Sequence, residues 1–253
     1  MDRYFEINEA GHNIRCKLYC DNLRKAPALV IFCHGFGGHK DNGAAEKFAR
    51  RLMAQWPGAG MITFNLPCHG DDVKKKLSLA DCLAYLDRVI AFVRDYCPRA
   101  ALFGYGTSFG GYLMLLYLSR NENPFRAVAL RCPAVDMHRV LTWAVISEEE
   151  RKLLRKGKDV LVGFDRKIPV SREFLAQLEE NDLRKLDFSG LAQELLILQG
   201  TEDEIVNYED VLEFSLEQEL EFLEIPGADH RFRHPWTLVP AHKAILEHFR
   251  SHM

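Results

Sequence analysis

The 253-residue sequence has no uninterrupted apolar run approaching the roughly 18 residues of a membrane span. It has no charge excess: 33 basic and 36 acidic side chains leave a formal charge of −3, so neither nucleic acid nor an anionic membrane is expected as a partner. Close C-x-x-C pairs are missing, and the seven cysteines, at positions 16, 20, 33, 68, 82, 97 and 132, are scattered and odd in number. That distribution speaks against a zinc or redox site and for buried free thiols. The opening Met1-Asp2-Arg3-Tyr4-Phe5-Glu6 has neither the basic nor the apolar region of a signal peptide, which leads to the expectation of a cytoplasmic address. No G-K-[ST] follows the glycines at 35–38 and no G-x-G-x-x-G opens a helix, so a nucleotide phosphate cradle is disfavoured. Internal repeats and low-complexity tracts are absent as well.

With 47% apolar and 27% charged residues, the chain has the composition of one sizeable α/β domain spanning residues 1–253. Tyr4–Ile7 and Ile14–Tyr19 read as a hairpin, because Ile14, Cys16 and Leu18 alternate with Arg15 and Lys17. Ala28-Leu29-Val30-Ile31-Phe32-Cys33 is apolar throughout, as a parallel strand covered on both faces must be. Further strands are expected at 61–65, 101–105, 127–131, 195–198 and 220–225. Helices are expected after residue 42, from Ser78 through an apolar stripe ending at Val93, over Gly111–Arg120, and over Thr237–Arg250. Strands alternating with helices imply right-handed crossovers and a mostly parallel sheet. About sixty residues separate Pro133 from the strand at 195, so residues 134–192 are expected to form an insertion with helices at Val140–Ile146 and Arg172–Leu178. Trp143, Phe164 and Phe174 are its candidate pocket aromatics.

In open α/β sheets functional groups gather just after the strands. One strand runs into Gly106-Thr107-Ser108-Phe109-Gly110, a G-x-S-x-G spacing that holds a serine on a sharp strand-to-helix turn. Ser108 is therefore the candidate nucleophile, and it needs a base. His230, in the turn after the last strand, is that base, with His234 in reserve. A carboxylate must hold the imidazole in one tautomer. Glu202, Asp203 and Glu204 compete for that role, and Asp203, followed by the apolar pair Ile205-Val206, is preferred. The backbone N–H groups of Phe36 and Phe109 are the candidate donors to an oxyanion, and His34 is expected to order the glycine loop. Metal ligands are not expected.

These segments together resemble the α/β-hydrolase superfamily. His34-Gly35-Phe36-Gly37-Gly38 resembles its H-G-x-G loop, Leu66-Pro67-Cys68-His69-Gly70 its P-G-H-G turn, and Gly106–Gly110 its serine turn, while Gly200–Val206 and Gly227–His230 resemble its acid and histidine loops. Within the superfamily the chain looks most like bacterial cinnamoyl or feruloyl esterases and serine-peptidase-like hydrolases. The resemblance implies an α/β-hydrolase fold with a parallel sheet between helices, a cap at 134–192, and a two-step acyl-enzyme mechanism without metal or cofactor. Two positions depart from the family pattern: Cys68 stands where glycine is usual, and Thr107 where many esterases have histidine. The expected activity is cleavage of small to medium carboxylic esters, with aromatic acyl groups as one option. A peptidase, a thioesterase and a non-catalytic binding protein on the same fold remain alternatives. The expected partner is a small ester substrate, without nucleic acid or membrane, and a homodimer is left open.

Overall fold

The computed structural model describes residues 2–9, 11–163 and 166–253. Strands β1 (Asp2–Glu9) and β2 (His12–Tyr19) form the expected hairpin, and β3 (Ala28–Cys33) leads into helix α1 (Gly43–Gln55). Then follow β4 (Gly60–Phe64), α2 (Leu79–Tyr96), β5 (Ala101–Thr107), α3 (Phe109–Leu118) and β6 (Ala127–Arg131). The long connection carries the short helix α4 (Met137–Arg139), a π-helical turn (Val140–Val145), α5 (Glu148–Arg155), the hairpin β7 (Val160–Val162) and β8 (Ile168–Val170), and α6 (Arg172–Glu180). Strand β9 (Leu195–Gly200), α7 (Tyr208–Glu217), β10 (Glu221–Ile225) and α8 (Pro235–Ser251) complete the chain.

Eight strands make one sheet in the order β1-β2-β4-β3-β5-β6-β9-β10. Only the β1–β2 and β2–β4 pairs are antiparallel; from β4 to β10 every neighbour is parallel. The reason β3 is apolar at every position is visible in its alternation. Leu29, Ile31 and Cys33 join the core shared with α2, α3 and α7, whereas Ala28, Val30 and Phe32 pack with α1 and α8 on the opposite face. Each face therefore uses every second residue, and neither can be polar. All ten residues of α3 are buried, because it lies between the sheet and the long connection. Among the described residues no helix is long and apolar enough to cross a membrane.

The sequence pattern places α3 two residues too far along: it starts at Phe109, with Ser108 as its N-cap. In the 134–192 segment the expected 140–146 helix is a π-helical turn, closed by Ile146 N–H donating to the Leu141 carbonyl at 2.9 Å. The charged α5 is unannounced by any apolar stripe, since Leu154 is its one buried residue. The β7–β8 hairpin is likewise unanticipated, being three residues to a strand.

Candidate active site

Parallel strands bring their carboxyl ends, and hence the loops that follow, to one edge of the sheet. Ser108 follows β5 with φ 52° and ψ −117°, a left-handed conformation that costs an L-residue on the order of 1–2 kcal/mol. The turn is held from three sides: Ser108 N–H donates to the Arg131 carbonyl at 3.0 Å, and its own carbonyl accepts from Tyr112 at 3.0 Å and from Ala134 at 3.3 Å. The flanking glycines are steric necessities. A Cβ on Gly110 would fall on the Cys33 carbonyl, and one on Gly106 would lie 2.7 Å from the Gly111 Cα.

Asp203 lies three residues past β9, and its carboxylate is completely buried. Oδ1 accepts the backbone N–H groups of Ile205 at 2.9 Å and Val206 at 2.8 Å, while Oδ2 accepts from Gln199 Nε2 at 3.0 Å and from His230 Nδ1 at 2.9 Å. Burial by itself raises the Asp203 carboxyl, but the hydrogen bond and charge of His230, with the Val206 N–H, outweigh it and hold the group below the usual carboxylate range. The acid is held as the carboxylate, so the His230 Nδ1 that faces it is the donor and Nε2 is the ring nitrogen left outside that bond. Of the competing acids, Glu202 is exposed; Glu204 instead accepts the His230 backbone N–H at 3.1 Å and pairs with Arg233 at 3.3 Å, so it braces the histidine loop. His234 stacks on Trp236 at 4.1 Å, away from this cluster.

Cys132, Asp203 and His230 place sulfur, oxygen and nitrogen within 4.8 Å of one another. Burial drives the Cys132 thiol well above its ordinary range, and both Asp203 oxygens are already hydrogen-bonded, so a neutral thiol and an occupied carboxylate make this trio a poor ligand set. Cys132 reaches it through a left-handed backbone, φ 47°.

Gly35 abuts Ser108: a Cβ there would sit 3.2 Å from the Ser108 Cβ. The loop turns tightly, Gly38 N–H donating to the Gly35 carbonyl at 2.9 Å. Neither Phe36 N–H nor Phe109 N–H has an acceptor among the described residues, and the Phe109 amide opens a ten-residue helix, where the positive end of the helix dipole favours an anion. His34 is wholly buried and works as expected: its Nε2 accepts the Leu66 N–H at 3.2 Å, joining the glycine loop to the turn at 66–70. At the departing position, Cys68 takes φ 65°, the conformation glycine would adopt freely, so the cysteine keeps the turn at a small cost.

Two compartments meet at Ser108 and His230, and Phe36 lines both. One, of about 250 Å³, is walled by the glycine loop, the start of α1 and Arg131. The other, of about 190 Å³, is apolar on the side of Met137, Val140, Val145 and Ile205. Each is smaller than a drug-sized cavity, roughly 300 Å³ and upward, which limits each half of a ligand to a small group. The expected pocket aromatics are corrected here. Trp143 is 76% exposed, its ring over the Arg151 guanidinium, because the π-helical turn points Val140 and Val145 inward and position 143 out. Phe174 is buried in the core against Phe109, centroids 6.3 Å apart. Phe164 lies outside the described residues.

The sequence profile of the alpha/beta hydrolase fold matches residues 28–172. The chain belongs to the α/β-hydrolase fold family. No curated protein matches its sequence. Among solved structures it is similar to Est1E of Butyrivibrio proteoclasticus, which has ferulic acid bound. The TM-score is 0.73 at 21% identity, over 97% of this chain and 99% of that one. A putative hydrolase of Agrobacterium vitis gives 0.75 at 18% identity, with 98% of both chains covered. Mouse alpha/beta hydrolase domain-containing protein 10 gives 0.72 at 17%, over 98% of this chain and 99% of that one. At such identities the likeness shows that this α/β hydrolase shares their fold, full length.

Three buried histidines give this α/β hydrolase a built-in acid sensitivity. Burial first, and the neighbouring His69 next, hold His34 neutral; burial lowers His69 to about 4. Burial, with the Arg131 charge, lowers His242 to about 3. Each imidazole ionises near 6.5 once unfolded. Their contribution is complete above that pH and is lost as pH falls, down to the folded-state value. His242 alone accounts for about 2 to 3 kcal/mol between about pH 6.5 and about pH 4.5. Urea unfolding at both pH values is expected to show the fall, and His242→Phe, which keeps the packing on Phe48, should shrink it by that amount. An unchanged pH dependence in the variant would show that His242 is not held neutral.

Proposed function

We propose that this protein is a serine hydrolase of small to medium carboxylic esters. Ser108 Oγ attacks the ester carbonyl as His230 Nε2 takes its proton, and Asp203 stabilises the imidazolium that forms. The Phe36 and Phe109 N–H groups receive the developing oxyanion. Collapse of this intermediate breaks the bond to the alcohol oxygen, which leaves with the proton from His230. Water, deprotonated by the same imidazole, then releases the acid and restores Ser108.

The observation that carries this reading is the bond from His230 to a buried, ionised Asp203 at 2.9 Å, in a cavity shared with a serine of strained backbone. Structural ion pairs do not need a strained serine beside them. The seven unpaired cysteines fit a cytoplasmic setting. The apolar wall of the second compartment, Met137, Val140, Val145 and Ile205 with Phe36, suits a short-chain or single-ring acyl group.

A fluorophosphonate probe is expected to modify Ser108, and a panel of p-nitrophenyl alkanoates, methyl ferulate, acyl thioesters and peptides to show the esters turned over fastest. Faster thioester or peptide cleavage would reassign the substrate class. Absence of labelling together with absence of turnover would favour a binding protein.

A further inference from the structure

Among the described residues, the proposed triad and oxyanion donors leave one buried cation without an ion pair, since the other two, Lys17 and Lys40, are paired with carboxylates. Arg131 ends β6 in register with Thr107; its carbonyl accepts the Ser108 N–H at 3.0 Å, and the residue lines the polar compartment beside Ser108 and His230. It is 8% exposed. Nε and Nη1 have no hydrogen-bond partner, and among the described residues no carboxylate pairs with it. Among the described residues, the side chains against it carry no counter-charge. The Phe232 ring lies under the guanidinium at 5.1 Å, and Tyr105, Cys132 and His242, which sense its charge, are all held neutral by burial. An uncompensated buried cation is costly, and a merely structural arginine at a strand end would have its donors satisfied. The start of α1, with Asn42 and Ala44 in the same wall, adds partial positive charge.

We propose that Arg131 determines specificity by binding an anionic group, a carboxylate or a phosphate, on the half of the ester that enters the polar compartment. The apolar half then lies against Met137, Val140 and Val145. Such a substrate brings the missing counter-charge with it, and the planar guanidinium suits either anion. This inference rests on the hydrolase reading for its chemistry but not for its binding site.

The test uses matched ester pairs: p-nitrophenyl hemisuccinate against its methyl ester, para-acetoxybenzoate against its methyl ester, and para-acetoxyphenyl phosphate against its dimethyl ester. The wild-type protein should prefer the anionic member of at least one pair by about 10- to 100-fold in kcat/KM, the range that a hydrogen bond to a charged group gives. Arg131→Met should bring that ratio near unity, and Arg131→Lys should restore part of it. The pair that responds separates acyl from alcohol placement and carboxylate from phosphate. No preference in the wild type, or a preference unchanged in Arg131→Met, overturns the proposal while Ser108 labelling keeps the hydrolase reading intact. Calorimetric titration with succinate and with inorganic phosphate reads the site without turnover. Binding of either that is lost in Arg131→Met supports the proposal, and no binding of either to the wild type overturns it. If the Met variant does not fold, the wild-type ratios and titrations decide.

Discussion

Ser108→Ala is expected to lower kcat by roughly a million-fold, to the residual rate that oxyanion donors and binding give without a nucleophile. The fold should survive, because Ser108 serves the structure through its backbone: its N–H donates to Arg131 and its carbonyl accepts from Tyr112 and Ala134. Its hydroxyl makes no capping hydrogen bond to α3. Alanine keeps all three backbone bonds and the same conformational cost at φ 52°. Ser108→Gly should be equally inactive but more stable, by on the order of 1 kcal/mol, since glycine adopts that φ without strain. Steady-state rates on p-nitrophenyl acetate and urea midpoints check both variants. Substantial turnover by either would remove Ser108 from the mechanism, and a destabilised glycine variant would mean that the serine side chain matters to the fold.

Asp203→Asn is expected to lower kcat by roughly ten-thousand-fold near neutral pH. The carboxylate accepts four hydrogen bonds, and asparagine has one oxygen. That oxygen is claimed by the Ile205 and Val206 amides that shape the loop, so the new NH₂ faces His230 Nδ1 and must donate to it. The imidazole proton then moves to Nε2, the nitrogen that must be empty to accept from Ser108. A compensating flip of Gln199, whose Oε1 has no partner, lets it accept from the new NH₂ at the loss of the long 3.4 Å bond to the Val206 carbonyl. The variant should therefore fold while losing rate, with unchanged fluorescence and circular dichroism. A loss of tenfold or less would show that Asp203 does not set the tautomer, and Glu204→Gln would then be compared.

The sheet and the loops that meet at the candidate site were legible because both obey local rules. A strand covered on two faces has nowhere to hide a polar residue, and Ala28–Cys33 shows this directly. Glycines at 106 and 110 answer a steric demand that any sequence forming this turn must meet. The pocket was not legible, because it depends on which way short segments turn. Trp143 and Phe174 are apolar aromatics in the right stretch, yet one is rotated outward by the π-helical turn and the other is absorbed by the core. Arg131 carries a usable signal, a charge at the carboxyl end of an otherwise apolar strand, which is the same rule that singles out Ser108. Gln199 gives the same hint inside Leu195–Gly200, a lone amide whose partner lies four residues on.

Phe36 contributes to the proposed chemistry through its main chain and to both compartments through its ring. The two contributions are separable by inheritance. Any residue but proline presents the same amide, so the proposed oxyanion donor is invisible to substitution, while the ring is the partition between the two halves of the cavity. A lineage can thus retune which molecules it accepts at position 36 without re-inventing how it cleaves them, whereas Gly110, pressed on the Cys33 carbonyl, has no such latitude.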